Sequence, residues 1–473
     1  MLWRGSLGGM AAPRIPGRGT RRLPAWLALA LLLVACSGPD NPLVGTNVIV
    51  VLADTLRADH LGAYGAHPRQ SPFLDGLAAQ SVLFENAWAA SAQTAPSVLS
   101  LWSGVYPHRH GVQYYWRTDG FHPRRVRGEP VVPDELRLMS ELFQAAGYRT
   151  GAVVTNPWLH PRFGFGRGFE RFEHLPSQGR GAEAREGGSR VNQTARELLE
   201  TWQGQRFLLH LHYMDVHSPY QPPEPIRAQF LEGRQGENVY KNGPRPEAKP
   251  ADVAYTWALY RGEVRAFDDL VRELFELLRE LGLEDSTLVV FVSDHGESFL
   301  EHGGMGHGWN LYEEMLHTPL FFWHASLRER ARRVEALVSG VDLLPTLLEL
   351  AGVAVPTGLQ GRSFAPQLLG ARDSGGGDRV ILSELGNVKA ARRGSTKLVR
   401  TLRLGGGEEA FDLVSDPGEQ SRLVSPPWRA ELAEALARIP PDPRKDEDED
   451  VPVPETKPDQ LLYLQLQALG YFD

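Results

Sequence analysis

Continuous apolar runs that end in acid, histidine, hydroxyl or amide residues constrain this chain more than any other feature. "TNVIVVLADT" (46–55), "RTGAVVTN" (149–156), "RFLLHLHYMDVH" (206–217), "STLVVFVSDH" (286–295) and "TPLFFWHA" (318–325) are rich in β-branched and aromatic residues. Runs of this kind read as strands buried on both faces. They alternate with segments of helical period, "VRAFDDLVRELFELLRELG" (264–282) and "VSGVDLLPTLLELAG" (338–352). The alternation predicts an α/β fold with a largely parallel sheet flanked by helices. In such sheets ligands gather at the carboxyl ends of the strands. Asp54, Asp215 with His217, and Asp294 with His295 all fall at such ends.

Beyond the glycine-rich "GARDSGGGDR" (370–379) the pattern changes to "VILSEL", "VKAARRGSTKLVRTL" and "EEAFDLVSDPGE", short strands separated by turn residues, followed by the helix-like "WRAELAEALARI". These predict a small C-terminal antiparallel-sheet subdomain. The expected organisation is a catalytic domain over 44–370, the subdomain over 378–439, an acidic proline-rich linker over 440–458 and a helix over 459–473. The linker composition is that of a solvated chain.

The amino terminus carries Arg4, Arg14, Arg18, Arg21 and Arg22 ahead of the 13-residue apolar run "LPAWLALALLLVA" (23–35), too short to span a bilayer and right for a signal peptide over 1–35. The run leads into "LVAC", where Cys36, the only cysteine of the chain, stands at the position of a lipidated residue. The expectation is an exported bacterial lipoprotein, membrane-anchored through lipid on Cys36. Ser37 in the next position favours the outer membrane and periplasm. "TRRLPAW" leaves both the general secretory and the twin-arginine routes open. Removing residues 1–35 takes the formal charge from −8 to −13. An acidic chain without a basic stripe excludes a nucleic-acid partner.

Two acids at buried strand ends, Asp54 and Asp294, require a positive partner between them. Histidines gather near the same ends: His217 in "MDVHSPY", His302 and His307 in "EHGGMGHG", and His108 and His110 beside Arg109 in "YPHRHGV". Such groups can hold an oxyanion and protonate a leaving oxygen.

"NVIVVLADTLRADHLGAYG", "SPFLDGLAAQSVLFENAWA", "SGVYPHRHGV", "SDHGESFLEHGGMGHG", "VDLLPTLLELAG" and "FDLVSDPGEQSRL", in this order over roughly residues 44–435, resemble successive blocks of the sulfatase family in the alkaline phosphatase superfamily. The resemblance implies an alkaline-phosphatase/sulfatase-like sheet with one divalent cation (calcium, magnesium, manganese or zinc) near the nucleophile. By resemblance Asp54, Asp294 and His295 are metal ligands, and Thr94 is the nucleophile and a further ligand. His217, His307 and Arg109 surround the ester.

The chain departs from the formylglycine-dependent pattern where its chemistry would reside. In "AQTAPSVLSLWSG", Thr94 and Val98 occupy the positions of the modifiable residue and the arginine. "GYRTGAVVTN" has Thr155 and Asn156 where a lysine is usual, and Asp54 is followed by Thr55 instead of a second aspartate. A formylglycine hydrate expels sulfate by elimination through a second hydroxyl, whereas threonine has one hydroxyl. An ester on Thr94 must therefore be cleared by attack at its phosphorus or sulfur, a route that phosphorus tolerates better. The sequence thus predicts a metal-dependent hydrolase of sulfate, phosphate or phosphonate esters on a small-molecule, glycan or lipid-linked substrate. The alternatives are a phospho-group transferase of the phosphoethanolamine or glycerol-phosphate type, and a catalytically silent lipoprotein that binds an anion or glycan. Retention of both acids and His295 opposes the last.

Overall fold

A computed structural model describes residues 41–113, 130–175, 187–239, 243–244, 247–371, 379–402 and 406–440. The described residues from 43 onward belong to one compact unit, and 41 and 42 to another. The signal segment with Cys36, the acidic linker beyond Pro440 and the helix expected over 459–473 lie outside the described residues.

Among the described residues eleven strands precede the C-terminal sheet: β1 (Asn47–Ala53), β2 (Val82–Trp88), β3 (Arg149–Val154), β4 (Arg171–His174), β5 (Phe207–Tyr213), β6 (Gly243–Pro244), β7 (Thr287–Ser293), β8 (Ser298–Phe299), β9 (Gly304–Gly306), β10 (Leu320–Trp323) and β11 (Arg332–Ser339). Eight of them form one sheet in the order β11-β2-β10-β7-β1-β5-β3-β4, and β6, β9 and β8 make a separate small ribbon. All pairings of the large sheet are parallel except those of β10, which runs antiparallel to β2 and β7. That reversal is not legible in "TPLFFWHA", because a strand buried on both faces has the same pattern in either direction.

Period-two alternation divides the core into two layers. Val48, Val50 and Leu52 of β1 join one layer with helices Thr94–Ser103 and Leu343–Ala351, while Ile49, Val51 and Ala53 join the other with helices Gly187–Thr201 and Pro250–Glu280. The helix expected over 338–352 begins only at Leu343, because Val338 and Ser339 still pair with β2. The helix expected over 264–282 starts earlier, with Pro250 in its first turn, where proline lacks only a donor that would be unpaired anyway. β2, β4 and β11 were not foreseen; β2 carries Glu85 and Asn86 in its middle, which breaks the apolar run.

β12 (Ile381–Leu385), β13 (Val388–Arg393), β14 (Thr396–Thr401) and β15 (Glu408–Asp412) form an antiparallel meander covered by helix Arg429–Ala437. Glu384 of β12 receives His108 Nδ1 at 2.5 Å and Lys389 Nζ at 2.7 Å. His108 therefore ties the C-terminal sheet to the turn after helix Thr94–Ser103.

Candidate active site

The sheet order places the chemistry. β1 lies between β7 and β5, and β5 lies beside β3, so residues just past these four ends converge. Register puts Ala53 opposite Ser293 and Tyr213, which sets Asp54 beside Asp294 and close to the end of β5. Thr55 has φ 61° although it is β-branched. Such strain costs about 1–3 kcal/mol and is characteristic of functional turns. The distorted turn aims Thr55 N at Asp294 Oδ1 (3.2 Å). Gly296 has no substitute: a Cβ there would stand 2.0 Å from the Glu314 carbonyl oxygen.

Thr94 opens helix Thr94–Ser103, where unpaired backbone N–H groups favour negative charge. Two bonds fix that helix: Ser97 Oγ donates to Asp294 O at 2.6 Å, and His110 Nε2 lies 3.1 Å from Ser100 Oγ and 3.2 Å from Pro96 O. Thr94 Oγ1 stands 3.4 Å from Asp54 Oδ2, 3.4 Å from His295 Nε2 and 3.3 Å from Asn156 Nδ2. The structure thus brings the side chains of Asp54, Thr94, Asp294 and His295 together. Asp54, Asp294 and His295 have no exposed surface.

Two further residues belong to the cluster. Asn156 accepts from Trp158 N through Oδ1 (2.9 Å), so its Nδ2 faces inward and donates to Asp54 Oδ2 (2.8 Å) as well as to Thr94. His212 of β5 is fully buried, with Nε2 3.3 Å from Asp54 Oδ2. Asp54, His212 and Asp294 each offer a ligand atom, all within 4.8 Å of one another. Asp54 Oδ1, His212 Nε2 and Asp294 Oδ2 are buried without hydrogen-bond partners. Burial and the neighbouring Asp54 charge push Asp294 well above the usual carboxylate range. Orphaned buried acceptors around one point fit a divalent cation.

His217 and His307 stand beside this cluster, with ring centroids 5.0 Å apart and His307 4.7 Å from His295. Burial pushes His295 and His307 down to about 4 and lowers His217 too. Each ring is held through Nδ1: His295 on Gly296 O (2.9 Å), His217 on Ser218 O (2.6 Å), and His307 on Glu297 Oε1 (2.9 Å). Glu297 is itself fully buried, receives Tyr220 OH at 2.6 Å, and is pushed by burial up to about 7.

Arg109 is a correction. The turn Pro107–His110 directs His110 inward and Arg109 out to solvent, with the guanidinium beside Gly358 and not in the buried cluster. His302 also stays outside, paired with Glu314 Oε1 at 2.9 Å. Asp215 accepts from Gly188 N at 3.2 Å and lines a cavity of about 210 Å³ that opens beside His217 and Thr155. Burial pushes Asp215 up to about 6, and Glu263, Asp269 and Glu273 line the same cavity.

A family model described as Sulfatase matches residues 46–353, and one described as N-sulphoglucosamine sulphohydrolase, C-terminal, matches residues 301–439. The Delta 4,5-hexuronate-2-O-sulfatase of Bacteroides thetaiotaomicron is 26% identical over 453 residues, spanning 85% of this chain and 88% of that protein. The N-sulphoglucosamine sulphohydrolase of Homo sapiens is 27% identical over 371 residues, spanning 73% and 69%. Among solved structures, the phosphonate monoester hydrolase of Agrobacterium radiobacter has a TM-score of 0.69 at 20% identity, covering 83% of this chain and 95% of that one, a likeness of fold. With the model matching well over half its length, the chain belongs to the sulfatase family and is an enzyme of that hydrolase class.

Proposed function

We propose that the chain is a metal-dependent hydrolase that cleaves phosphate or phosphonate esters through a covalent intermediate on Thr94. One observation carries this reading: Thr94 Oγ1 is buried at a helix start within 3.4 Å of Asp54, His295 and Asn156. A threonine retained by chance in a worn-out formylglycine site has no need of three polar contacts.

A cation held by Asp54, Asp294 and His295 would supply Lewis acidity at this point. The residues do the rest. Thr94 Oγ1 passes its proton to Asp54 Oδ2, to which it donates at 3.4 Å, and attacks phosphorus in line while the leaving oxygen departs on the opposite side. Asn156 Nδ2 donates to Thr94 Oγ1, on which charge builds as its proton leaves and again as water displaces it. The bond from Glu297 orients His307, and the Ser218 carbonyl orients His217, so that both rings present Nε2 to the anion. An anion seated between the two imidazoles raises their proton affinity, so one of them takes up a proton at Nε2 as the substrate binds and gives it to the leaving oxygen. Water then gives a proton to the imidazole left bare and attacks phosphorus, the bond to Thr94 breaks, Thr94 Oγ1 takes back the proton held at Asp54, and the free acid leaves.

The cavity beside His217 receives the leaving group. Its carboxylates Asp215, Glu263, Asp269 and Glu273 oppose a polyanionic chain and suit a neutral or amine-bearing alcohol. Export and anchoring through Cys36 belong to the same proposal, with an envelope ester as substrate. A second reading, a sulfate ester, is supported by the sulfatase relatives at 26–27% identity.

The test is a panel of aryl sulfate, phosphate monoester, phosphate diester and phosphonate monoester substrates, with mass spectrometry of the quenched enzyme. The reading requires turnover of a phosphorus ester and an adduct on Thr94. Exclusive turnover of sulfate establishes the second reading, and an added glycerol or ethanolamine acceptor exposes any transfer.

A further inference from the structure

We infer that His212 is a nitrogen ligand of the cation, and that its presence makes the site one for a zinc-type ion instead of calcium. The inference rests on the reading that a divalent cation lies between Asp54 and Asp294. It adds a ligand and a metal class to that reading.

Counting protons fixes the ring. Thr155 Oγ1 has one proton and donates it to the His212 carbonyl oxygen at 2.9 Å. In its 3.2 Å contact with His212 Nδ1 the hydroxyl can therefore only accept, so Nδ1 bears the hydrogen. His212 Nε2 then faces Asp54 Oδ2 at 3.3 Å without a hydrogen bond, in a place without solvent. Two acceptors facing each other in low dielectric repel unless something positive joins them.

Hydrogen bonding alone answers only part of this. It offers Asp54 one donor, and Asp54 Oδ2 already receives Asn156 Nδ2 at 2.8 Å. Asp54 Oδ1 and Asp294 Oδ2 would still be buried without partners. One cation serves all three side chains at once, because their ligand atoms lie within 4.8 Å of one another.

His295 has the same construction on the other side. Its Nδ1 is held by the Gly296 carbonyl at 2.9 Å, and Nε2 lies 3.5 Å from Asp294 Oδ2 and 4.0 Å from Asp54 Oδ1. Ligand histidines commonly show this arrangement, the far nitrogen tied to an oxygen so that the near one offers its lone pair. The donor set is then two carboxylates and two imidazoles, with Thr55 where another carboxylate would add oxygen. Calcium takes six to eight oxygen ligands, whereas two imidazoles with two carboxylates suit zinc.

The experiment uses the metal ions themselves. Metal-free wild-type protein is titrated with zinc and with calcium, each followed by elemental analysis and thermal shift, and the cobalt-loaded protein is examined by proton NMR. The expected result is one zinc per chain held against a large excess of calcium. Two exchangeable, paramagnetically shifted imidazole N–H signals are expected, one of which disappears in His212→Gln. Zinc affinity in that variant should fall by more than the ~10–100-fold that loss of an outer partner costs, while calcium binding does not. Preference for calcium, or a single imidazole signal in the wild type, overturns the inference and requires no variant to fold. Wild-type protein that binds no divalent ion overturns the cation reading itself, a separate outcome.

Discussion

Asn156 Nδ2 lies 3.3 Å from Thr94 Oγ1, and the same amide donates to Asp54 Oδ2. Its other end is fixed by Trp158 N. The donor is thus aimed at the atom on which charge develops, with little reorganisation left for the reaction. Asn156→Ala is expected to lower kcat by about 10²–10³-fold, as loss of an oxyanion donor does. Bound metal should stay at the wild-type stoichiometry. Steady-state kinetics with elemental analysis check it, and a change confined to KM would remove Asn156 from this role.

Thr94→Ala is expected to abolish the covalent adduct and reduce turnover by several orders of magnitude. The protein should stay folded, because the helix it opens is also tied by Ser97 and by His110. Wild-type rates in the Thr94→Ala protein would remove the nucleophile assignment.

Glu297→Gln keeps the shape of the Glu297 side chain but cannot accept from both His307 and Tyr220 with two oxygens. Expected is a ~10–100-fold drop in kcat, the usual cost of a second-layer partner, and a displaced limb in the pH profile of kcat/KM. Tyr220→Phe removes the other bond to Glu297 and should move the same limb by less.

Stability should fall in acid in a way traceable to His110. Burial pushes this ring down to about 3, against about 6.5 in an unfolded chain. The folded state resists protonation, so between pH 6.5 and 3 the unfolded chain binds more protons. Stability is therefore whole above pH 6.5 and declines as pH falls, by up to ~1.4 kcal/mol per unit from this group. Thermal unfolding of wild type and His110→Gln at pH 7 and pH 4.5 checks it: the variant should show a smaller difference between the two.

Cys36→Ala should release the protein from the membrane fraction of an expressing bacterium. Unchanged partitioning would remove the lipid anchor.

How much of this was legible in sequence depends on position within the strand. Asp54, Asp294 and His295 stand just past apolar runs, where ligand sites of parallel sheets form, and the structure gathers them. His212 was not singled out because "FLLHLHY" places it inside such a run, on the same face as His210. At ~3.3 Å per residue the two rings are some 7 Å apart along β5. One is packed on Trp102 at 4.9 Å between ring centroids, and the other reaches Asp54. Periodicity gives the face and not the distance to the strand end. Asn156 was noticed only as a missing lysine, since an amide's role depends on which way it is turned. Arg109 was misplaced because one step along a helical turn separates inward His110 from outward Arg109.

The bond between Thr55 N and Asp294 Oδ1 joins positions 239 apart in the chain. Loop closure over that span makes the pairing of β1 with β7 a non-local and therefore slow event. Until it occurs Asp54 and Asp294 are separate, hydrated carboxylates with no common ion to share. The crowded acid pair comes into being only as the central strands close. A cation should then slow unfolding more than it speeds early collapse, and chelation should shorten the lifetime of the native state while leaving the first folding phases unchanged.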